Sequence, residues 1–304
     1  MSRYAVIDLG TNTFHMLIVE KAEGQIPFRE IHRERRFVKL AEDGIETIGS
    51  KAFERGLQTL IEYRKILDQK KVTEFRACGT AALRTASNGQ LFVQQALEKA
   101  NISIRLIDGD TEARLIQRGV ALTLPTDVDD RYMIMDIGGG SVEFIICEKE
   151  SVFWAQSFPV GAAVLYKNFH HSDPMAVDEV AALYEFLEHT LQPLLLILKK
   201  YPTTHLVGAS GTFDVLGMKM VDMQSTDLSA ELPVDQFAPF FNDLLYTTVQ
   251  ERYIRQDIPD ARADMIVVAL ILIDFIIKKA PVNRLAVSSF AMKEGILTQM
   301  LLPN

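Results

Sequence analysis

The sequence predicts an α/β protein of two domains, and three observations carry that expectation. First, YAVIDLGTNTFHMLIVEK from Tyr4 and YMIMDIGGGSVEFIICEK from Tyr132 align at a constant offset of 128, which brings Asp8 onto Asp136, Gly10 onto Gly138, Thr13 onto Ser141 and Glu20 onto Glu148. Second, each copy reads as an apolar strand ending in Asp, a Gly- or Asn-rich turn and a second apolar strand. Helix-like and strand-like segments then alternate, as an α/β architecture requires. Third, 304 residues at 48% hydrophobic content suffice for two domains, each with its own core. The turn-rich acidic segment TLPTDVDD places the boundary, giving domains 1–124 and 125–304.

After the first hairpin, SKAFERGLQTLIEYRKIL sets Phe53, Leu57, Leu60, Ile61 and Leu67 at helical spacing behind Ser50 as candidate cap. TEFRACGT reads as strand then loop, and NGQLFVQQALEKAN as a helix closed by Asn101. ISIRLIDG is a strand, and DTEARLIQRGVAL a helix with Asp110 at its N-cap. In the second half two strands precede one helix, VDEVAALYEFLEHTLQPLLLILKKY. Strand HLVGAS, helices to about residue 280, strand NRLAVSS and helix AMKEGIL follow, the last free to pack back on the first domain. The run MIVVALILIDFII contains Asp274 and is too short for a membrane span. It reads as a buried helix, with the face of a homodimer as the alternative.

Composition narrows the function. A net charge of −8 argues against broad nucleic-acid binding. The local basic stretch REIHRERRFVK (Arg29, Arg33, Arg35, Arg36, Lys39) reads as a solvated charged face, or as a landing strip for a polyanion. Two distant cysteines, Cys78 and Cys147, make neither a disulfide framework nor a zinc site, and point to a reducing cytoplasm. The start MSRYAVIDLG lacks a signal-peptide pattern, and no membrane partner is expected. His170–His171 in KNFHHSDP read as a surface loop, without metal-ligand spacing.

Three glycines immediately after Asp136 are an expensive choice for a strand end, since each loses more chain entropy on ordering than alanine, by about 0.5–1 kcal/mol. Two such turns, one per domain, are expected to face a cleft between the halves. Gly, Asn and hydroxyl side chains there present N–H and O–H donors to an anion. Asp8 and Asp136 cannot bind phosphate directly, because like charges repel, but each can hold a divalent metal that phosphate also binds. Rival motifs are excluded: no GxxxxGK[ST] occurs, GGGSVE lacks dinucleotide spacing, and no GxSxG serine elbow is present. VGASGTFDVLG adds a strand-to-helix loop where Gly208, Ser210, Gly211 and Thr212 can offer N–H groups at a helix N-terminus. In GTAALRTASN, Thr80 and Arg84 can contact phosphate oxygens. Glu112 reads either as a general base or as an acid favoured in a first helical turn, and spacing alone leaves both open.

Taken together, IDLGTNTFHMLI, GTAALRTASN, IDGDTEARLIQRGV, DIGGGSVEF, VGASGT, RADMI and VSSFAMKEGIL resemble, in order, the exopolyphosphatase/guanosine pentaphosphate phosphatase (Ppx/GppA) family of the actin, sugar kinase and chaperone ATPase superfamily. The resemblance covers nearly the whole chain. It implies two ribonuclease-H-like (actin-like ATPase) domains flanking an interdomain cleft, and metal-dependent hydrolysis of phosphoanhydrides with Mg²⁺ or Mn²⁺. The family's base falls on Glu112, and its acidic metal- and water-organising positions fall on Asp8, Asp136 and Glu143. Its phosphate-contacting loops fall on Asn12, Thr13, Gly138, Gly139, Gly140, Ser141, Gly208, Gly211, Thr212 and Arg84.

The chain departs from the family pattern in places. Thr111 stands where a second Glu is usual, Val164 where an arginine is usual, and Ser289 and Lys293 replace an Asp and an Arg. Fewer arginines weaken the grip on long anionic chains. The expected reaction is release of terminal phosphate from inorganic polyphosphate or guanosine pentaphosphate by Glu112-activated water. The alternatives are a superfamily kinase or ATPase, and a non-catalytic sensor of polyphosphate or guanosine polyphosphates.

Overall fold

The computed structural model describes residues 2–124, 131–148, 151–224 and 226–302. The expected boundary at 125 lies at residues 125–130, outside the described residues. The chain forms two compact units: Met1–Leu122 with Gly138–Gly140 and Ala291–Asn304, and Thr123–Ile137 with Ser141–Phe290.

The first unit starts with the antiparallel strands β1 (Arg3–Leu9), β2 (Thr13–Lys21) and β3 (Phe28–Phe37). Helix α1 (Ser50–Gln69), strand β4 (Glu74–Gly79), helices α2 (Ala81–Thr85) and α3 (Gly89–Ala100), strand β5 (Ile104–Leu106) and helix α4 (Gly109–Ala121) follow. The sheet runs β3-β2-β1-β4-β5, with β4 parallel to β1 and β5 parallel to β4. Ile7, Leu9, Phe14, Met16 and Ile18 alternate onto one side of the hairpin and meet Leu60, Tyr63, Leu67 and Phe92 of α1 and α3, which is why the apolar spacing of those helices matters.

The second unit repeats the plan. Strands β6 (Tyr132–Ile137), β7 (Val142–Glu148) and β8 (Ser151–Phe158) form an antiparallel meander, followed by helices α5 (Ala162–Phe169), α6 (Val177–Thr190) and α7 (Gln192–Lys200). Then come β9 (His205–Ala209), α8 (Gly211–Val221), β10 (Ser229–Leu232), α9 (Val234–Leu245), α10 (Val249–Ile254), α11 (Asp260–Ala263), α12 (Ile266–Lys279) and β11 (Arg284–Ser288). The sheet order is β10-β11-β9-β6-β7-β8, so the stretch from β8 to β11 has the order of the first sheet, with β10 added at the edge. Every residue of α12 from Ile266 to Ile276 is buried, which makes this apolar run core and not a dimer face. The final helix, α13 (Met292–Leu301), groups with the first unit and crosses α4 in backbone contact. A Cβ on Gly119 would lie 1.9 Å from the Ala291 carbonyl oxygen, and one on Gly295 1.9 Å from that of Leu115.

Several sequence expectations need correction. The N-cap of α4 is Asp108, whose carboxylate accepts from the Thr111 N–H, and Asp110 lies inside the helix. Gly49 precedes α1 with extended backbone, and Ser50 is its first helical residue, without a capping hydrogen bond. The single long helix of the second half is two, broken at Leu191 because Pro193 cannot continue the ladder of α6 but suits the first turn of α7. The basic stretch is edge strand β3, and carboxylates already answer most of its arginines: Arg29 pairs with Glu20, Arg33 with Glu30 and Glu294, Arg36 with Glu34 and Glu62. His170 is buried against Tyr166, not on a surface loop, and burial with the nearby Arg252 charge lowers its pKa.

Candidate active site

In the first unit, β1 carries Asp8 to one end of the sheet, beside His15 of β2 and Cys78 of β4 in register. The following turn is tight: Gly10 N–H donates to the Thr13 carbonyl at 3.0 Å, and a Cβ at Gly10 would press on that oxygen. The turn is also pinned from outside. Asn12 O accepts from the N–H groups of Val38 and Lys39, and Thr11 O from that of Leu40. Thr13 Oγ1 lies 2.9 Å from His15 Nε2. The glycine turn Gly138–Gly140 belongs to this unit, and a Cβ at Gly139 or Gly140 would crowd the first turn. A Cβ on Gly139 would lie 2.9 Å from the Asn12 carboxamide, and one on Gly140 2.6 Å from Thr11 Oγ1. The two turns matched by the internal repeat thus meet backbone against side chain.

Glu112 sits in the first turn of α4, 7% exposed. Arg84 of α2 faces it, with Nη1 3.3 Å from Glu112 Oε2 and 2.6 Å from the Ile107 carbonyl oxygen. The short α2 follows β4 directly, so the strand end fixes where Arg84 begins its reach. Thr80, at that junction, is buried and donates its N–H to the Leu9 carbonyl at 3.3 Å, a contact that ties β4 to β1.

In the second unit, Asp136 at the end of β6 stands opposite Glu143 of β7, and Glu143 opposite Ser157 of β8. Directly opposed residues of antiparallel neighbours share a face of the sheet. Both acids are buried, Glu143 at 2% exposure, and Ser141 is buried beside them in sequence. Two carboxylates on one face suit a hard divalent cation. Mg²⁺ is commonly held through one or two carboxylates, with water and phosphate oxygens completing its shell. Among the described residues no three Asp, Glu, His or Cys side chains gather closely enough to hold a metal by themselves.

The third loop joins β9 to α8. Gly208 is required because a Cβ there would lie 1.9 Å from the Phe213 ring. Ser210 has φ +70°, a conformation that non-glycine residues adopt rarely and that concentrates at functional sites. Thr212 is buried in the first turn of α8, whose N–H groups and dipole favour an anion. Gly211 reveals a residue that sequence reasoning missed: a Cβ there would lie 1.6 Å from Nη2 of Arg262, so the guanidinium lies directly on this loop. The RADMI segment was the available signal, but it gives no clue that it folds back onto Gly211. Of the four departures from the family pattern, Thr111 donates its N–H to the Asp108 carboxylate, Ser289 is tied by its N–H and Oγ to the Leu228 carbonyl and Lys293 is ion-paired with Glu294. Val164 lies half-buried within α5.

A family model described as the Ppx/GppA phosphatase family matches residues 17–304. The guanosine-5'-triphosphate,3'-diphosphate pyrophosphatases of Vibrio vulnificus and Aliivibrio fischeri are 34% and 33% identical over 215 residues, which is 70% of this chain and 42% of each relative. The match thus spans less than half the length of these curated relatives. An exopolyphosphatase from Cytophaga hutchinsonii is 37% identical with a TM-score of 0.94, over 99% of this chain and 98% of that one. A Ppx/GppA family member from Aquifex aeolicus is 25% identical with a TM-score of 0.82, over 99% and 98%. With a family match that runs from Leu17 in β2 to residue 304, and two solved neighbours whose fold is shared over 98% or more of both chains, the chain belongs to the Ppx/GppA phosphatase family.

Proposed function

We propose that this chain is a metal-dependent phosphoanhydride hydrolase that releases terminal phosphate from inorganic polyphosphate or guanosine pentaphosphate. The observation that carries the reading is Glu112, a buried carboxylate faced by the Arg84 guanidinium at 3.3 Å. Burial of an acid is unfavourable unless it is paired, and a paired acid in a first helical turn is held in one orientation. The Cytophaga relative named as an exopolyphosphatase and the two relatives named as guanosine pyrophosphatases support the substrate class.

In this mechanism Glu112 takes the proton of the attacking water, and Arg84 fixes the carboxylate while offering its fork to phosphate oxygens. The N–H groups of Gly138, Gly139, Gly140 and Ser141, with Asn12 and Thr13, bind one set of phosphate oxygens. The loop Gly208 to Thr212, with Arg262 over Gly211, binds another. Asp136 and Glu143, with Asp8 as the further candidate, would hold Mg²⁺ or Mn²⁺ together with water and phosphate oxygens, and the ion would supply positive charge against the phosphate. Phosphoryl transfer passes through a loose transition state, so positioning and fixed charge supply most of the acceleration. The protein's partners are then these anionic ligands, not nucleic acid or a membrane, and its setting is the cytoplasm. No described helix is long and apolar enough to cross a membrane.

The test is phosphate release with Mg²⁺ from short polyphosphate, long polyphosphate, guanosine pentaphosphate and ATP. Release from one of the first three is expected, and Glu112→Ala is expected to slow it by about 10²–10⁴-fold, the usual worth of a general base. Undiminished turnover in Glu112→Ala refutes the base assignment. Tight binding without release identifies a sensor instead.

A further inference from the structure

The row Asp136, Glu143, Ser157 crosses three adjacent strands in register. Its outer member is not a passive neighbour. Ser157 Oγ donates to Glu143 Oε1 at 2.6 Å, across a pair in which Glu143 is almost wholly buried. The donor is itself held in place. The next residue, Phe158, is buried and meets the Phe144 ring edge-on at 5.8 Å, and Val160 N–H donates to the Phe158 carbonyl at 2.8 Å, closing a tight turn before α5. A glutamate has three side-chain torsions, and a buried carboxylate with one oxygen committed to a fixed donor keeps one plane and one direction.

We propose that Ser157 is a positioning residue that fixes the Glu143 carboxylate for divalent-metal binding. This rests on the reading of Glu143 as a metal-organising acid and adds the residue that orients it. Partners of this kind, which touch the ligating group and not the ion, are typically worth 10–100-fold in metal affinity. Ser157 carries the hydroxyl that threonine would also supply and alanine would not.

The experiment measures Mn²⁺ alone binding to the full chain, by loss of the free-ion electron paramagnetic resonance signal, in wild type, Ser157→Ala, Ser157→Thr and Glu143→Gln. Thermal melting checks that each variant is folded, and kcat and KM for polyphosphate are measured alongside. Ser157→Ala is expected to bind Mn²⁺ at least about 10-fold more weakly and to need correspondingly more Mg²⁺ for half-maximal phosphate release. Ser157→Thr is expected to restore both, and Glu143→Gln to lose more than Ser157→Ala. Wild-type affinity in Ser157→Ala beside a weakened Glu143→Gln overturns the inference alone. Failure of Ser157→Thr to rescue assigns the loss to packing and overturns it too. Unchanged binding in Glu143→Gln, or no binding by the wild type, overturns the underlying reading of Glu143 together with the inference.

Discussion

Single atoms decide the candidate site. Gly211 was legible as part of a strand-to-helix loop, but the Arg262 guanidinium that rests where its Cβ would be was not. Nothing local to VGASGT announces that contact, because Arg262 arrives from α11, far along the chain. Gly211→Ala is therefore expected to push Arg262 off the loop and raise KM for polyphosphate several-fold with a smaller effect on kcat, as loss of binding common to ground and transition states does. Steady-state kinetics with folded protein decides it, and an unchanged KM would remove Arg262 from the binding loop. Arg84 shows the same limit from the other side. Its type and block suggested phosphate contact, whereas its bonds to Ile107 O and Glu112 appear only once β4, α2 and α4 are assembled.

Helix ends show what element-level reading can and cannot do. Two aspartates compete for the start of α4, and Asp108 takes the cap because its carboxylate reaches the Thr111 N–H, a bond that also lowers its own pKa. Composition cannot separate acids two residues apart. The start of α6 has a stronger device. Desolvation works to raise the pKa of Glu179, but donation from Ser172 Oγ and from the N–H groups of Ala176, His171 and Ser172 outweighs it and holds the group at about 2, below its ordinary 4.5. A carboxylate with a folded pKa below its unfolded one stabilises the fold above the unfolded value. That contribution fades as pH falls from about 4.5 towards 2. Urea unfolding across this range is expected to show wild-type stability falling more steeply than that of Glu179→Gln, with the variant weaker near neutral pH. Parallel curves would mean that the hydrogen bonds contribute nothing net.

At the scale of the whole molecule, metal dependence is the property that tests the proposed function, which assigns Asp8, Asp136 and Glu143 to a divalent ion. Chelation by EDTA is expected to abolish phosphate release, and Mg²⁺ or Mn²⁺ to restore it. Release that survives exhaustive chelation would show that the carboxylates serve another purpose. By itself, the sequence determined the α/β class, the duplicated hairpin with its Asp and glycines, and the apolar helices, because strand and helix periodicity and turn chemistry are local and the repeat is visible along the chain. Only the tertiary structure decided that β3 is an ion-paired edge strand, that α13 crosses α4 at Gly119 and Gly295, and that Arg84 faces Glu112, Arg262 covers Gly211 and Ser157 holds Glu143. These are contacts between residues distant in sequence. They follow from strand register and helix packing, and no local pattern encodes which distant side chain fills the space that a glycine leaves open or reaches a buried carboxylate.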